Sequence, residues 1–285
     1  MDIDLYNDDC FNVFPQIEEK SVNLFVLDLP YNQTDCKWDQ DIIPLDEMWE
    51  NIKRIIKPNG IVIHFCTAKF GYRLIHSQPK WFRYDLIWKK SRKVGFLSAN
   101  KMPLRQHENI YLFKPEQGTY HPQKTEGKAY KCKQGKQTNL YGKEDKSKVK
   151  TENKGDRHPT SIIEQKDLGM IKGGYYRGEG KKPFKRMAAH PTERHPTSII
   201  DYDGDSILVY KNPHKTIHRT QKPVELCEWL IKTYSNEGDT VMDFTMGSGT
   251  VAVAAMNTKR KFIGVEKDPK IYEAAEQRLA DLFLT

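Results

Sequence analysis

Asp28-Leu29-Pro30-Tyr31 places a carboxylate, a rigid backbone carbonyl and an aromatic ring on one short stretch, directly after the apolar run at 22–27. Such a run reads as a buried parallel strand, so these residues sit where it leaves the sheet at its carboxyl end. Open α/β sheets bind their ligands at that edge, which makes the stretch a candidate active site. A second constellation lies near the other end of the chain. Residues 243–250 read Asp-Phe-Thr-Met-Gly-Ser-Gly-Thr, after the strand-like 240–242 and before the helix-forming 251–255. Glycines let a backbone turn sharply and approach a ligand closely, and the helix that follows offers free N–H groups. Strand-like residues 261–265 then end at Glu266, whose carboxylate can accept hydrogen bonds from two ribose hydroxyls. Half of a nucleoside site is thus written at one end of the chain and a catalytic loop at the other.

Elements able to position these residues recur along both ends. A short strand at 3–7 runs into Asp8-Asp9-Cys10, and a short helix over 12–17 leads to the strand before Asp28. Leu45, Met48, Trp49, Ile52, Ile55 and Ile56 recur at helical spacing, and Lys57-Pro58-Asn59-Gly60 stops that helix. Residues 61–65 form the next strand and 70–76 a helix; 84–88 and 109–113 are aromatic-rich strands joined by a loop at 100–106. Periodicity then fails from Pro115 until about Ile207 and returns with a helix after Pro223. The final helix opens at Asp268-Pro269 and is expected to bury Ile271, Ala274, Ala275, Leu279 and Leu282. Taken in circular order, two strands at the C-terminus, four at the N-terminus and one near 111 make a seven-stranded α/β sheet. The expected organisation is a catalytic half at 1–114, an insert at 115–206 and a cofactor half at 207–285.

Charge singles out the insert. Residues 121–187 hold 18 Lys or Arg against 8 Asp or Glu, a local +10 that exceeds the +8 of the whole chain. Regional basicity of this kind suits a polyanion, although a solvated loop has the same composition. Within the insert, Arg-His-Pro-Thr-Ser-Ile-Ile occurs at 157–163 and again at 194–200, too few copies for a solenoid. Five scattered cysteines without a C-x-x-C pair argue against a disulfide framework and a zinc site, and for a reducing compartment. Without a long apolar stretch or a signal-like start, the chain is expected to be soluble, without a membrane partner and intracellular.

The order of these pieces resembles the β-class amino DNA methyltransferases, in which the catalytic motif precedes the target-recognition region and the cofactor motif comes last. Asp28 to Tyr31, residues 243–250, His218-Arg219-Thr220-Gln221-Lys222-Pro223 and Asp8-Asp9-Cys10 carry that resemblance, which covers nearly the whole chain and is closest to phage and bacterial adenine-type enzymes. Leu29 and Arg219 stand where the family usually has proline. The resemblance implies a circularly permuted, Rossmann-like, S-adenosylmethionine-dependent sheet with a basic target-recognition insert. It also implies site-specific methylation of adenine N6 in double-stranded DNA after base flipping. On the same resemblance, Asp28 and Pro30 accept N–H bonds from the amino group and Tyr31 stacks on the extruded base. Asp9, Thr220, Lys222, Phe244, Thr245, Gly247, Ser248, Gly249, Thr250 and Glu266 hold the cofactor, and Arg157, Arg177, Lys181 and Arg186 meet DNA. A homodimer and a cognate restriction endonuclease are further partners the resemblance brings with it.

Three other readings stay open at this level. Transfer to N4 of cytosine differs only in the base. Gly247-Ser248-Gly249-Thr250-Val251-Ala252 fits the G-x-G-x-x-A dinucleotide fingerprint, which would suit a nicotinamide-dependent oxidoreductase. The charge alone would suit a DNA-binding module without catalysis.

Overall fold

All six residues of strand β2 (Val22–Leu27) are buried, as a strand covered on both faces requires. From Leu24 onward the sides alternate, Leu24 and Val26 facing one apolar cluster and Phe25 and Leu27 the other, while Val22 joins the second cluster across the register shift between Val22 and Leu24. The structure is a computed structural model that describes residues 2–32, 42–126, 128–132, 151–164, 208–209 and 221–283.

The N-terminal half contains β1 (Ile3–Tyr6), α1 (Cys10–Val13), β2, α2 (Leu45–Ile55), β3 (Ile56–Cys66), α3 (Ala68–Ser77), β4 (Phe82–Val94) and β5 (Arg105–Phe113). Beyond these lie the short strands β6 (Thr125–Glu126), β7 (Tyr130–Cys132), β8 (Thr151–Asn153), β9 (Asp156–Arg157), β10 (Ile162–Glu164) and β11 (Leu208–Val209). The C-terminal half supplies α4 (Val224–Tyr234), β12 (Thr240–Asp243), α5 (Thr250–Asn257), β13 (Lys261–Val265) and α6 (Pro269–Phe283). The main sheet runs β1-β13-β12-β2-β3-β5-β4-β10-β11, and within it β5 alone is antiparallel to its neighbours. Helices α4, α5 and α6 cover one face; α1, α2 and α3 cover the other.

The seven strands read from the sequence all form, and the permuted order holds: β12 from the C-terminal half inserts beside β2 from the N-terminal half. Two further strands extend the sheet. Ile162–Glu164 pairs with Ile87, Trp88 and Lys89, and Ile163 is fully buried, so part of the insert belongs to the main core. A three-residue strand has too few positions to show alternation, which is why no periodicity marked it. Residues 119–121 also return to the core side: His121 N donates to Thr233 O at 2.8 Å, and the Tyr120 ring packs against Tyr234.

Element ends depart from expectation where solvent removes the apolar pattern. β4 continues to Val94 and the turn starts at Gly95, whose φ of +92° favours glycine, so the β4–β5 connection lies before Arg105. Helix α2 ends at Ile55, and Ile56 already pairs with Val22, so the Lys57-Pro58-Asn59-Gly60 stretch lies within β3. In α6, Ala275 and Leu279 are buried, Ile271 and Ala274 are half-buried, and Leu282 is exposed because the last turn runs past the sheet. Asp268 opens that helix, its carboxylate accepting from Lys270 N at 2.8 Å and Ile271 N at 3.2 Å.

Helix α3 approaches β5 closely enough that only glycine fits at one contact. A Cβ on Gly71 would lie 2.0 Å from Cε2 of Tyr111, whose hydroxyl accepts from Asn109 Nδ2 at 3.1 Å. Gly71→Ala is expected to lower stability by about 1–3 kcal/mol, the usual cost of overpacking. Urea unfolding monitored by circular dichroism reads this directly; an unchanged midpoint would mean that Tyr111 has room to move.

Candidate active site and cofactor cleft

Parallel pairing of Val241 with Leu24 and Met242 with Phe25 brings the carboxyl ends of β12 and β2 side by side. Asp243 and Asp28, far apart in sequence, therefore open onto one cavity of about 650 Å³. Its wall includes Asp28 and Pro30 from the catalytic loop, Gln221 and Lys222 from the approach to α4, and Phe244, Thr245, Gly247, Ser248 and Thr250 from the glycine loop. Asp9 and Glu266 lie on the same wall, whereas Gly249, also expected among the cofactor residues, does not line it.

The catalytic loop is fixed from several sides. Leu29, the residue in place of proline, is 2% exposed and fills the core with α2 and α3. Asn32 adopts φ +53°, a left-handed conformation that asparagine tolerates, so the loop turns immediately after Tyr31. Tyr31 Oη lies 2.5 Å from Asp28 Oδ1 and 2.7 Å from the Phe65 carbonyl oxygen, and its ring packs against Phe70 at 5.1 Å. Burial, then the Asp28 charge, pushes the phenol well above its ordinary range. Tyr31 lies beside the cavity rather than along its wall.

A buried charge cluster surrounds Asp28. Lys222 Nζ donates to Asp28 Oδ2 at 2.5 Å, lies 3.7 Å from Glu108 Oε2 and sits 5.1 Å from the centre of the Phe65 ring. Lys90 pairs with the other oxygen of Glu108. Burial alone would discharge Lys222, but Asp28 and Glu108 outweigh it and hold the ammonium above its ordinary value. Burial likewise pushes Glu108 up, while Lys222 and Lys90 pull it below the usual carboxylate range. The sequence marked Lys222 only through its motif, and nothing in the local pattern of β4 or β5 marked Lys90 or Glu108.

On the cofactor side, Gly247 and Gly249 take φ of +53° and +72°, and Gly249 caps α5 without a side-chain bond. A Cβ on Gly249 would meet Ala275 of α6 at 3.4 Å, an ordinary contact, so it is the positive φ that calls for glycine there. Arg278 steadies it from below, donating to Ser248 O at 2.7 Å and Thr250 Oγ1 at 3.2 Å. Glu266 Oε2 accepts from Gly247 N at 2.9 Å and Oε1 from Asp268 N at 2.9 Å, which orients the carboxylate at the rim. Asp9 caps α1 through Phe11 N at 3.0 Å and pairs with Lys267 at 3.1 Å. Its neighbour Asp8 is engaged with Asp9 N and Asn12, so Asp9 and Asp8 have separate tasks.

The lining has a decided sign. Seven of the cavity's side chains are acids, Glu47 of α2 among them and Asp243 the one that burial favours in its neutral form, and two are ammonium groups. Such a wall suits a sulfonium-bearing ligand and opposes a dinucleotide pyrophosphate. Apolar Phe11, Ile43, Phe65, Met246 and Ile271 are among its other lining residues, and none was expected as a site residue because each also fits a core pattern. Of the remaining expected residues, Thr220, Arg177, Lys181 and Arg186 lie outside the described residues. Arg157 is described, and its guanidinium is committed within the insert: it donates to Asn153 Oδ1 and Lys128 O, both at 2.5 Å, and lies over the Tyr130 ring.

Asp243 is 3% exposed and accepts from Thr245 N at 3.0 Å. Burial pushes its carboxyl up to about 8, against the opposing Thr245 bond, with Asp28 adding repulsion. A raised folded-state value means stability present at low pH and lost as pH rises from the unfolded value near 4 through about 8. Asp243→Asn removes that loss, so its melting temperature relative to the unmodified protein should climb between about pH 4 and pH 8 and level off above. A difference that stays flat across scanning calorimetry runs in this window would show Asp243 to be charged throughout.

Comparison with known proteins agrees with the geometry. The N6/N4 methyltransferase family, described as DNA methylase, matches residues 22–277. The Type II methyltransferase M1.MboII of Moraxella bovis is 25% identical over 277 residues, covering 93% of this chain and 92% of that one. M.HpaI of Haemophilus parainfluenzae is 23% identical over 99% of this chain and 76% of its own. Among solved structures, the M1.HpyAVI–SAM complex aligns over 97% of this chain and 99% of its own at TM-score 0.56 and 18% identity. The PvuII cytosine-N4-specific DNA methyltransferase aligns over 98% and 86% at TM-score 0.58 and 14% identity. Among the described residues no helix is long and apolar enough to cross a membrane. The chain therefore belongs to the N4/N6 family of S-adenosylmethionine-dependent DNA methyltransferases.

Proposed function

We propose that this DNA methyltransferase is site-specific and methylates N6 of adenine in duplex DNA. The observation that carries the reading is the presence of Asp28 and Pro30 on the same cavity wall as Gly247, Ser248 and Glu266. An adenine amino nitrogen is a poor nucleophile because its lone pair is delocalised into the ring. The Asp28 carboxylate and the Pro30 carbonyl accept its two N–H bonds, hold the nitrogen nearer tetrahedral and stabilise positive charge as it forms. S-adenosylmethionine supplies an electrophilic methyl group on a sulfonium. Glu266 holds the ribose, Asp9 lies toward the adenine end, and residues 244–250 wrap the methionine part, with Thr220 and Lys222 contributing from the approach to α4. Holding both reactants in one cleft accounts for much of the rate.

The base reaches Asp28 only after extrusion from the duplex. Stacking on the extruded base, expected of Tyr31 from the resemblance, would require its ring to reach the cavity wall; packed against Phe70 beside that wall and bonded to Asp28 Oδ1, Tyr31 is assigned instead to holding the carboxylate. Asp at the first catalytic position leans toward adenine in the resembled family, whereas fold likeness to a cytosine-N4-specific enzyme keeps the other amino base as the second reading. Residues 1–114 and 207–285 act as the two halves of the methyltransferase domain, with 115–206 as the target-recognition insert. Arg177, Lys181 and Arg186 bind the DNA backbone, and binding weakens steeply with salt. Arg157, already committed to Asn153 and Lys128, is assigned chiefly to holding the insert's shape. A homodimer and a cognate restriction endonuclease are the assembly and partner in keeping with this reading.

Incubation with methyl-labelled S-adenosylmethionine and methylation-free duplex DNA of mixed sequence, followed by digestion to nucleosides, should yield labelled N6-methyladenine. Labelled N4-methylcytosine alone would reverse the choice of base. Separately, Glu266→Ala should raise the dissociation constant for S-adenosylmethionine by roughly ten- to a hundredfold, the worth of hydrogen bonds to a charged acceptor, as read by calorimetry. Unchanged affinity would move the ribose elsewhere.

A further inference from the structure

Both oxygens of Asp28 are partnered within the protein, Oδ1 by Tyr31 and Oδ2 by Lys222. An ammonium on an acceptor opposes what that acceptor must do, because the charge that develops on a methylated amino nitrogen is also positive. Lys222 has to yield for Asp28 to work at full strength. Glu108 faces the same ammonium from β5. Its Oε1 is held by Lys90, while its Oε2 is buried, accepts no hydrogen bond from the described residues and lies 3.7 Å from Lys222 Nζ. A buried carboxylate oxygen left without a donor is costly, and here it stands within reach of one. A shift of about 1 Å brings that separation to ordinary charge-assisted hydrogen-bond length. The Phe65 ring, 5.1 Å from Nζ and itself on the cavity wall, supports the cation beside both carboxylates.

We propose that Glu108 is a positioning residue for methyl transfer: it offers the Lys222 ammonium a second seat, so that Lys222 leaves Asp28 Oδ2 for Glu108 Oε2 when a target amino group arrives. The inference rests on the reading of Asp28 as acceptor. It makes Asp28 a charged acceptor on demand: paired and quiet while the site is empty, released only against an incoming N–H donor. No proton changes hands in the exchange, and Lys90 keeps Glu108 anchored while Lys222 moves. A purely structural Glu108 would serve stability alone, with no preference between chemistry and binding.

Glu108→Gln preserves shape and one acceptor but removes the anionic seat. Single-turnover transfer to methylation-free duplex DNA should fall about tenfold or more, with the dissociation constants for S-adenosylmethionine and DNA within about twofold of the unmodified enzyme. In a Lys222→Met background, where no ammonium has to be drawn away, the same Glu108→Gln change should cost less than about twofold, the non-additivity expected of a pair acting together. Equal losses in the two backgrounds, or an unimpaired rate in Glu108→Gln alone, would overturn the proposal. So would a loss of rate that merely follows a loss of cofactor affinity or of melting temperature. If the unmodified enzyme labels no DNA, the functional reading falls and this inference with it; if it labels DNA and Glu108→Gln labels it equally well, only this inference falls.

Discussion

The parallel pairing of β12 with β2 is the constraint on which the site depends. Two backbone registers, Val241 against Leu24 and Met242 against Phe25, set the ends of strands from opposite ends of the chain at the same edge of the sheet. Asn23 reinforces the join from the other edge: its Oδ1 accepts from Thr240 N at 3.1 Å and from Lys57 Nζ at 3.0 Å. A one-residue slip would turn every side chain of β2 to the opposite face, putting Leu24 and Val26 where Phe25 and Leu27 belong. The register is therefore protected by two apolar clusters at once, and the placement of Asp28 beside the glycine loop follows from it.

Electrostatics then decide what the cleft can hold. Its wall is rich in carboxylates, which favours a cationic ligand, and one deeply placed ammonium, Lys222, stands between the two acids that face it. A buried cation of this kind survives only because Asp28, Glu108 and the Phe65 ring together replace the water it has lost. The arrangement links a strand pair far from the cofactor loop to the reacting centre: Lys90 on β4 holds Glu108 on β5, Glu108 faces Lys222 before α4, and Lys222 reaches Asp28 after β2. The same low-polarity surroundings raise Asp243 and keep Tyr31 protonated.

Legibility in the sequence followed the physics of each element. Long buried strands and capped helices announced themselves: Val22–Leu27 by an apolar run broken only at Asn23, α6 by Asp268 and Pro269. The glycine loop and Glu266 were readable because φ above zero and a strand-end acid leave local marks. Glu108 was not readable, since its partners Lys90 and Lys222 come from two other elements and meet it only in the fold. Likewise β10 joins the sheet through backbone pairing that three residues cannot advertise, and the packing of Tyr31 against Phe70 depends on where α3 comes to rest. Motif order could suggest the family; the direction in which the Tyr31 ring points required the structure.

One cleft is proposed to separate two tasks, cofactor binding around the glycine loop and Glu266 and amino-group activation by Asp28. Asp28→Asn, assayed in parallel for S-adenosylmethionine affinity by calorimetry and for single-turnover methyl transfer to DNA, distinguishes them. Affinity should stay within about twofold of the unmodified enzyme while transfer falls by about a hundredfold or more, the loss expected when an interaction made in the transition state is removed. Transfer that survives the substitution, or a loss explained entirely by weaker cofactor binding, would contradict that division.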